Sequence, residues 1–297
     1  DYVELGSMLA NKIQQLMIFF SLLIPDMTNE EEQLLDEALI KTYADYGITH
    51  DNESVYEDAT VSPPKMKQMP ILGDLHKHLL ENKMTERIAV IVSRFVTGSA
   101  QSFNRQTNVD LSNKYIVFDL SELKGKLLPV GMMIALDYIW DSVKKDLTKK
   151  KAVMIDEIWK LVGTSSNKQA AEFCLTIFKT IRGFGGAAVS ATQDLSDFFG
   201  LEDGKYGRAI INNSKNKIIL NLEPDEAKYV QDVLKLTKTE IQSITRFERG
   251  EALIYSNNNK VPVLVKASKV EHEMITTDRA ELEAILRERQ KDHTHSE

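Results

Sequence analysis

The run Lys151-Ala152-Val153-Met154-Ile155-Asp156-Glu157-Ile158-Trp159 constrains this chain more than any other stretch. Four consecutive apolar residues predict a short strand buried on both faces, which belongs in a parallel sheet flanked by helices. Two carboxylates follow at its C-terminal end, where parallel α/β sheets build their sites. The sequence around the run agrees. After residue 112, strand patterns at 115–120, 152–155, 187–191 and 218–220 alternate with helical patterns at about 127–146 and 166–182. Short strands at 252–255 and 261–265 follow, then a charged helix at about 277–290. This is the pattern of a mostly parallel sheet.

Before residue 112 the periodicity is helical throughout. Leu9, Ile13, Leu16, Met17, Phe20 and Leu23 recur at helical spacing. Thr28 with Glu31 three residues on is a capping box, and Leu34, Leu35, Ala38, Leu39 and Tyr43 form the next apolar stripe. Residues 47–70, with Pro63, Pro64 and Pro70, read as a connection. Two further helices are expected at 71–82 and 85–97. The chain therefore divides into an all-helical part (7–105), an α/β part (112–270), and a C-terminal helix and tail (271–297).

Composition narrows the function classes. Of 297 residues, 42% are hydrophobic, enough for a sizeable core, and the net charge of −7 argues against a generally basic nucleic-acid binder. The single cysteine, Cys174, excludes an intrachain disulfide and a cysteine zinc cluster. It lies in an apolar helical stretch and reads as a buried spectator thiol. His76 and His78 are two apart and make a poor metal pair on a helix. His50, His272, His293 and His295 have no metal-ligand spacing either. The apolar stretch 16–24 is about half the length needed to cross a bilayer. It ends in Pro25-Asp26 and lacks the basic start of a signal peptide. A cytoplasmic chain, docked on a membrane complex through a partner, is expected.

The strand-end acids carry specific chemistry. This is the Walker B pattern with an adjacent glutamate. Asp156 is expected to hold Mg²⁺ through its water shell, and Glu157 to polarise the water that attacks the γ-phosphate of ATP. The competing reading is that the acids merely cap the next helix. Gly185-Gly186-Ala187-Ala188-Val189-Ser190-Ala191-Thr192-Gln193 is a second strand ending in a polar pair, one helix later. Gln193 there is placed to sense the γ-phosphate and the attacking water, with Thr192 at the nucleotide. The plain alternative is a helix-initiating Thr-Gln-Asp turn. Arg182 precedes Gly183-Phe184-Gly185-Gly186 and is either an arginine reaching a neighbouring subunit's nucleotide or a surface residue complementing a helix C-terminus. Asn212-Asn213-Ser214 is either a nucleotide-lining stretch, with Asn213 as the contact, or ordinary loop. Gly250 reads as a turn residue and Arg246 and Arg249 as exposed.

Three stretches together resemble the TraC/TrbE-type traffic ATPases of type IV secretion and conjugation, within the HerA–FtsK class. They are Asn108-Val109-Asp110 with 115–121, then 154–159, then 182–193. The opening 9–23 and the Gly47-Ile48-Thr49-His50 loop fit that family's helical insertion. The resemblance covers nearly the whole chain. It implies a RecA-like ATPase domain with an all-α subdomain on its N-terminal side. It also implies ATP and Mg²⁺ as cofactors, a homo-hexameric ring, and work at the inner face of the cell membrane. There the ring would meet secretion-channel components, with DNA or protein as the transferred substrate.

The chain departs from the family in lacking any G-x-x-x-x-G-K-[ST] motif. Lys124-Gly125-Lys126-Leu127 lacks the first glycine and the hydroxyl residue. In the family the phosphate-binding loop precedes the helical insertion, so the expectation is a fragment whose loop lies upstream of Asp1. Such a fragment is expected to be inactive alone. Two other functions stay open: a DNA-translocating motor of the HerA–FtsK or coupling-protein kind, and a non-enzymatic scaffold.

Overall fold

The computed structural model describes residues 7–109, 113–164, 166–257 and 259–294. The chain forms two compact units, Asp1–Asn213 and Ser214–Glu297. Packing thus divides the chain elsewhere than hydrophobic periodicity does, and the reason lies in the first unit's core.

That unit opens with α1 (Met8–Leu23) and α2 (Asn29–Ala44). The Thr28 hydroxyl accepts from the Glu31 N–H at 3.2 Å, and the Thr28 N–H donates to the Glu31 carboxylate at 2.9 Å. This closes the capping box that starts α2. A short antiparallel pair, β1 (Tyr56–Asp58) with β2 (Lys65–Met66), interrupts the connection expected at 47–70. Helices α3 (Leu72–Leu80) and α4 (Glu86–Val96) complete the helical part. Arg87 on α4 donates to Glu31 at 2.8 Å, tying α4 to the start of α2. Phe20, Leu35, Leu79 and Ile88 are fully buried in a core that also takes Val130, Met133 and Ala170 from beyond residue 112. The helical part therefore shares its core with the strand-bearing part.

Those last residues lie on α5 (Leu127–Lys145) and α7 (Lys168–Thr180). Lys12 on α1 pairs with Asp137 on α5 at 2.8 Å. Asn167, the N-cap of α7, donates to the Ser21 hydroxyl on α1 at 2.9 Å. Burial opposes charge on Lys12, but Asp137 outweighs it and the lysine's pKa is raised. Burial also raises that of Asp137, against the pull of Lys12. Cys174 is buried in α7, and desolvation pushes its thiol up to about 12. It is an inert core residue, as expected.

Strands β3 (Lys151–Ile155) and β4 (Gly186–Ser190) pair in parallel, in register from Lys151↔Gly186 to Ile155↔Ser190. Val153 and Ile155 are buried, but Met154 is 72% exposed and Val189 49%. Burial on both faces, expected from the apolar run, is therefore corrected: among the described residues only one face is covered. The strand expected at 115–120 is also corrected. Its described residues form no ladder, and Tyr115 and Val117 lie open to solvent. An apolar run becomes a strand only where a neighbour supplies hydrogen-bond partners. Asp110 lies outside the described residues. Between and beyond the two strands come α6 (Trp159–Val162), α7, α8 (Leu195–Phe198) and α9 (Lys205–Asn213).

In the second unit, β5 (Asn216–Ile219), β6 (Glu251–Ser256) and β7 (Asn259–Leu264) form an antiparallel sheet in that order. The strand expected at 218–220 thus pairs with β6 rather than continuing the parallel sheet. Gly250 adopts φ +93° at the turn into β6, where a Cβ would meet the Val265 carbonyl at 2.7 Å. Helix α10 (Pro224–Leu234) opens on proline, whose fixed φ suits a first turn. Helix α11 (Lys238–Ile244) opens on a Thr237–Glu240 capping box. Helices α12 (Lys269–Ile275) and α13 (Arg279–Thr294) are the last described elements.

Candidate active site at the strand ends

Parallel pairing puts the C-terminal ends of β3 and β4 side by side, and two backbone bonds beyond the ladder lock them there. The Ala191 N–H donates to the Ile155 carbonyl at 3.0 Å, and the Ile158 N–H donates to the Ala191 carbonyl at 3.2 Å. Asp156-Glu157 and Thr192-Gln193 therefore leave the sheet at one end, on adjacent strands. Asp156 and Gln193 are exposed and Glu157 is half-buried.

Glu157 has φ +52°, a left-handed conformation uncommon outside glycine. Its N–H donates to Asp156 Oδ1 at 3.0 Å. Its carboxylate accepts from the indole N–H of Trp159. The acids do not cap the following helix: the N-cap of α6 is Ile158, with no side-chain cap bond. On the neighbouring loop, Asp194 caps α8 by accepting from the Asp197 N–H at 2.9 Å, and the Thr192 hydroxyl donates to the Asp194 carbonyl at 3.3 Å. The helix-initiating reading of Thr-Gln-Asp is thus true of Asp194, while Gln193 stays exposed.

The segment after α6 is tied to α8. Asp197 Oδ1 accepts from the Thr164 N–H at 3.1 Å and from the Thr164 hydroxyl. Asp197 Oδ2 is buried without a partner among the described residues. Close approach here requires glycine: a Cβ on Gly163 would lie 2.5 Å from Asp197 Oδ2, and one on Gly200 would lie 2.3 Å from the Thr164 methyl. Sequence reading assigned no part to Trp159, Thr164 or Asp197. Trp159 stood in the quoted motif; the Thr164–Asp197 pair is 33 residues apart and has no local signal.

Arg182 lies elsewhere. It sits in the turn 181–184 before β4, at the strands' N-terminal end, and is exposed. Five residues of strand separate that end from the acids, roughly 16 Å. It is out of reach of the acids in its own chain. Asn213 ends α9, its amide donating to the Ala209 carbonyl at 2.8 Å.

The donor set fits Mg²⁺: Asp156 is an exposed hard-oxygen ligand, suited to a cation that keeps most of its waters. Among the described residues no cluster of three or more His, Cys, Asp or Glu could cage a metal by itself.

Parallel strands flanked by helices, with an acidic pair and a polar pair at their ends, fit a RecA-like fold. The family model for the TraG P-loop domain matches residues 82–294, and the chain belongs to that family. It is similar to protein TraC of Escherichia coli K12, 29% identical over 158 residues, 51% of this chain and 18% of that protein. It is also similar to the DNA double-strand break repair helicase HerA of Sulfurisphaera tokodaii, 26% identical over 174 residues, 56% of this chain and 34% of that one. The chain thus spans about a third or less of the curated relatives it matches. The solved structure of VirB4 of Thermoanaerobacter pseudethanolicus superposes with a TM-score of 0.80 at 25% identity, covering 90% of this chain and 71% of that one. The bacterial conjugative coupling protein TrwBdeltaN70 shares the fold at a TM-score of 0.52 and 13% identity, covering 87% of this chain and 69% of that one.

Proposed function

We propose that this chain supplies the acidic and sensing side of an ATPase that powers conjugative type IV secretion, moving pilus components or transferred substrate. The observation that carries the reading is the pair of backbone bonds at Ala191, which joins the Asp156-Glu157 and Thr192-Gln193 loops at one strand end. Asp156 would hold Mg²⁺ through water, and the bound ion would neutralise charge on the phosphates. Glu157 would accept a hydrogen bond from the attacking water and draw its proton, making the water oxygen a better nucleophile. Gln193 would touch that water and the γ-phosphate, with Thr192 and Asn213 along the nucleotide. Arg182, out of reach in its own chain, would serve a neighbour's nucleotide in a ring, with six copies the expected number.

The name and fold of VirB4 and the name of TraC support secretion as the task. Inner-membrane channel components as partners and a position at the inner face of the membrane belong to the same proposal. No helix among the described residues is long and apolar enough to cross a bilayer. Because no G-x-x-x-x-G-K-[ST] occurs here, the chain by itself should bind ATP weakly and turn it over negligibly; calorimetry with ATP and Mg²⁺ measures this. In a form of the protein that carries a phosphate-binding loop, Glu157→Gln should stop turnover and spare ATP binding. Normal hydrolysis by that variant removes Glu157 from the mechanism. The similarity to HerA favours a second reading, a DNA-translocating motor. Strong stimulation of turnover by DNA would select it.

A further inference from the structure

Glu157 is held at both ends of its residue. Its N–H is bound to Asp156 Oδ1 at 3.0 Å, and its carboxylate Oε2 accepts the indole N–H of Trp159. The backbone between them is left-handed, at φ +52°. A carboxylate with one oxygen engaged by a fixed donor keeps the other in a defined direction.

The donor is itself well anchored. Trp159 begins α6, and the turn around it is fixed by Ile158, Leu161 and Val162, all fully buried. The Lys160 ammonium lies 3.3 Å from the centre of the Trp159 ring. A cation over an indole face is attracted by the ring's π density. It draws that density toward itself, which leaves the N–H more acidic and a stronger donor to a carboxylate. Three consecutive functions thus meet at one strand end: an ammonium, an indole it polarises, and a carboxylate that the indole holds.

We propose that Trp159 is a positioning residue for Glu157, and that Lys160 strengthens its grip through the ring. This rests on the reading of Glu157 as the group that polarises water. The indole exchanges no proton with substrate. It acts by directing the free oxygen of Glu157, and small errors in such a direction are costly to rate.

Two measurements test the proposal. The first uses the indole N–H resonances of the 297-residue chain, which has two tryptophans; Trp159→Phe identifies the Trp159 signal by its loss. That signal should lie downfield, move upfield in Glu157→Ala, and move part of the way in Lys160→Met. A Trp159 signal indifferent to Glu157→Ala overturns the contact. The second uses a form of the protein that carries a phosphate-binding loop. Trp159→Phe, which keeps the aromatic packing and deletes only the donor, should lower kcat about ten-fold with KM for ATP within about two-fold. An unchanged or raised kcat overturns the positioning role. Glu157→Gln separates the two ideas. Lost turnover there with full-speed Trp159→Phe sinks the positioning role alone; normal turnover in Glu157→Gln sinks the reading beneath it as well.

Discussion

The two ends of the β3–β4 pair are built on opposite principles. At the N-terminal end, the Lys151 ammonium donates to three carbonyls: Val143 at 2.7 Å, Phe184 at 3.1 Å, and Asp146. Trp140 meets Phe184 edge-on at 5.3 Å between ring centres, and Gly185 turns the chain at φ +71°. A charged donor there closes the end of α5, the loop after it and the turn into β4 in one knot. At the C-terminal end, the Asp156 side chain is open to solvent and the Glu157 carboxylate is held by Trp159, and the positive φ falls on Glu157 rather than on a glycine. One end spends its polar groups on the fold. The other leaves them to the nucleotide proposed above, and the left-handed backbone of Glu157 accords with that proposal.

The contrast can be broken by substitutions that should fall on one side only. Glu157→Gln should produce the largest effect. Turnover in a form that carries a phosphate-binding loop should fall at least a hundred-fold while the thermal midpoint stays within a few degrees. A large loss of stability would show that the open end is structural after all. Lys151→Met should do the reverse. Three carbonyls lose their donor, at a cost on the order of 2 kcal/mol, read as a lower denaturant midpoint. Unchanged stability would dissolve the comparison from the other side. Gly185→Ala should cost about 1 kcal/mol, because its Cβ would sit in the left-handed region 3.1 Å from the Lys149 carbonyl. A neutral Gly185→Ala would mean the turn relaxes freely.

The smallest effect sharpens the comparison by placing a control in the helical part, at the start of α2. The Glu31 carboxyl is held below its ordinary value, first by the Thr28 N–H and then by Arg87. A lowered carboxylate contributes stability that is present above the unfolded value and is lost as pH falls through the folded one. The helical part should therefore weaken slightly below about pH 4, with Glu31→Gln removing that part of the acid dependence. An acid profile identical in wild type and Glu31→Gln would discount the pairing seen here.

Much of this was legible along the chain because its causes are local. The capping box at Thr28 and Glu31, the helical stripes of α1 to α5, and the apolar runs of β3 and β4 depend on residues within one or two turns of each other. So does the pairing of acids with a strand end. Residues joined across long separations were invisible. Thr164 with Asp197, Lys12 with Asp137, and Asn167 with Ser21 carry no periodicity.

Local pattern could place Asp156, Glu157 and Gln193 after apolar runs, since strand propensity and side-chain alternation act over a few residues. It could not say which runs pair. The run at 115–120 is as apolar as β3, yet forms no ladder, while 218–220 joins an antiparallel sheet. Nor could it show that Met154 would stand open, or that Arg182 would lie at the far end from the acids. Pairing, exposure and reach depend on which backbone groups meet across the fold, and only the tertiary structure brings those groups together.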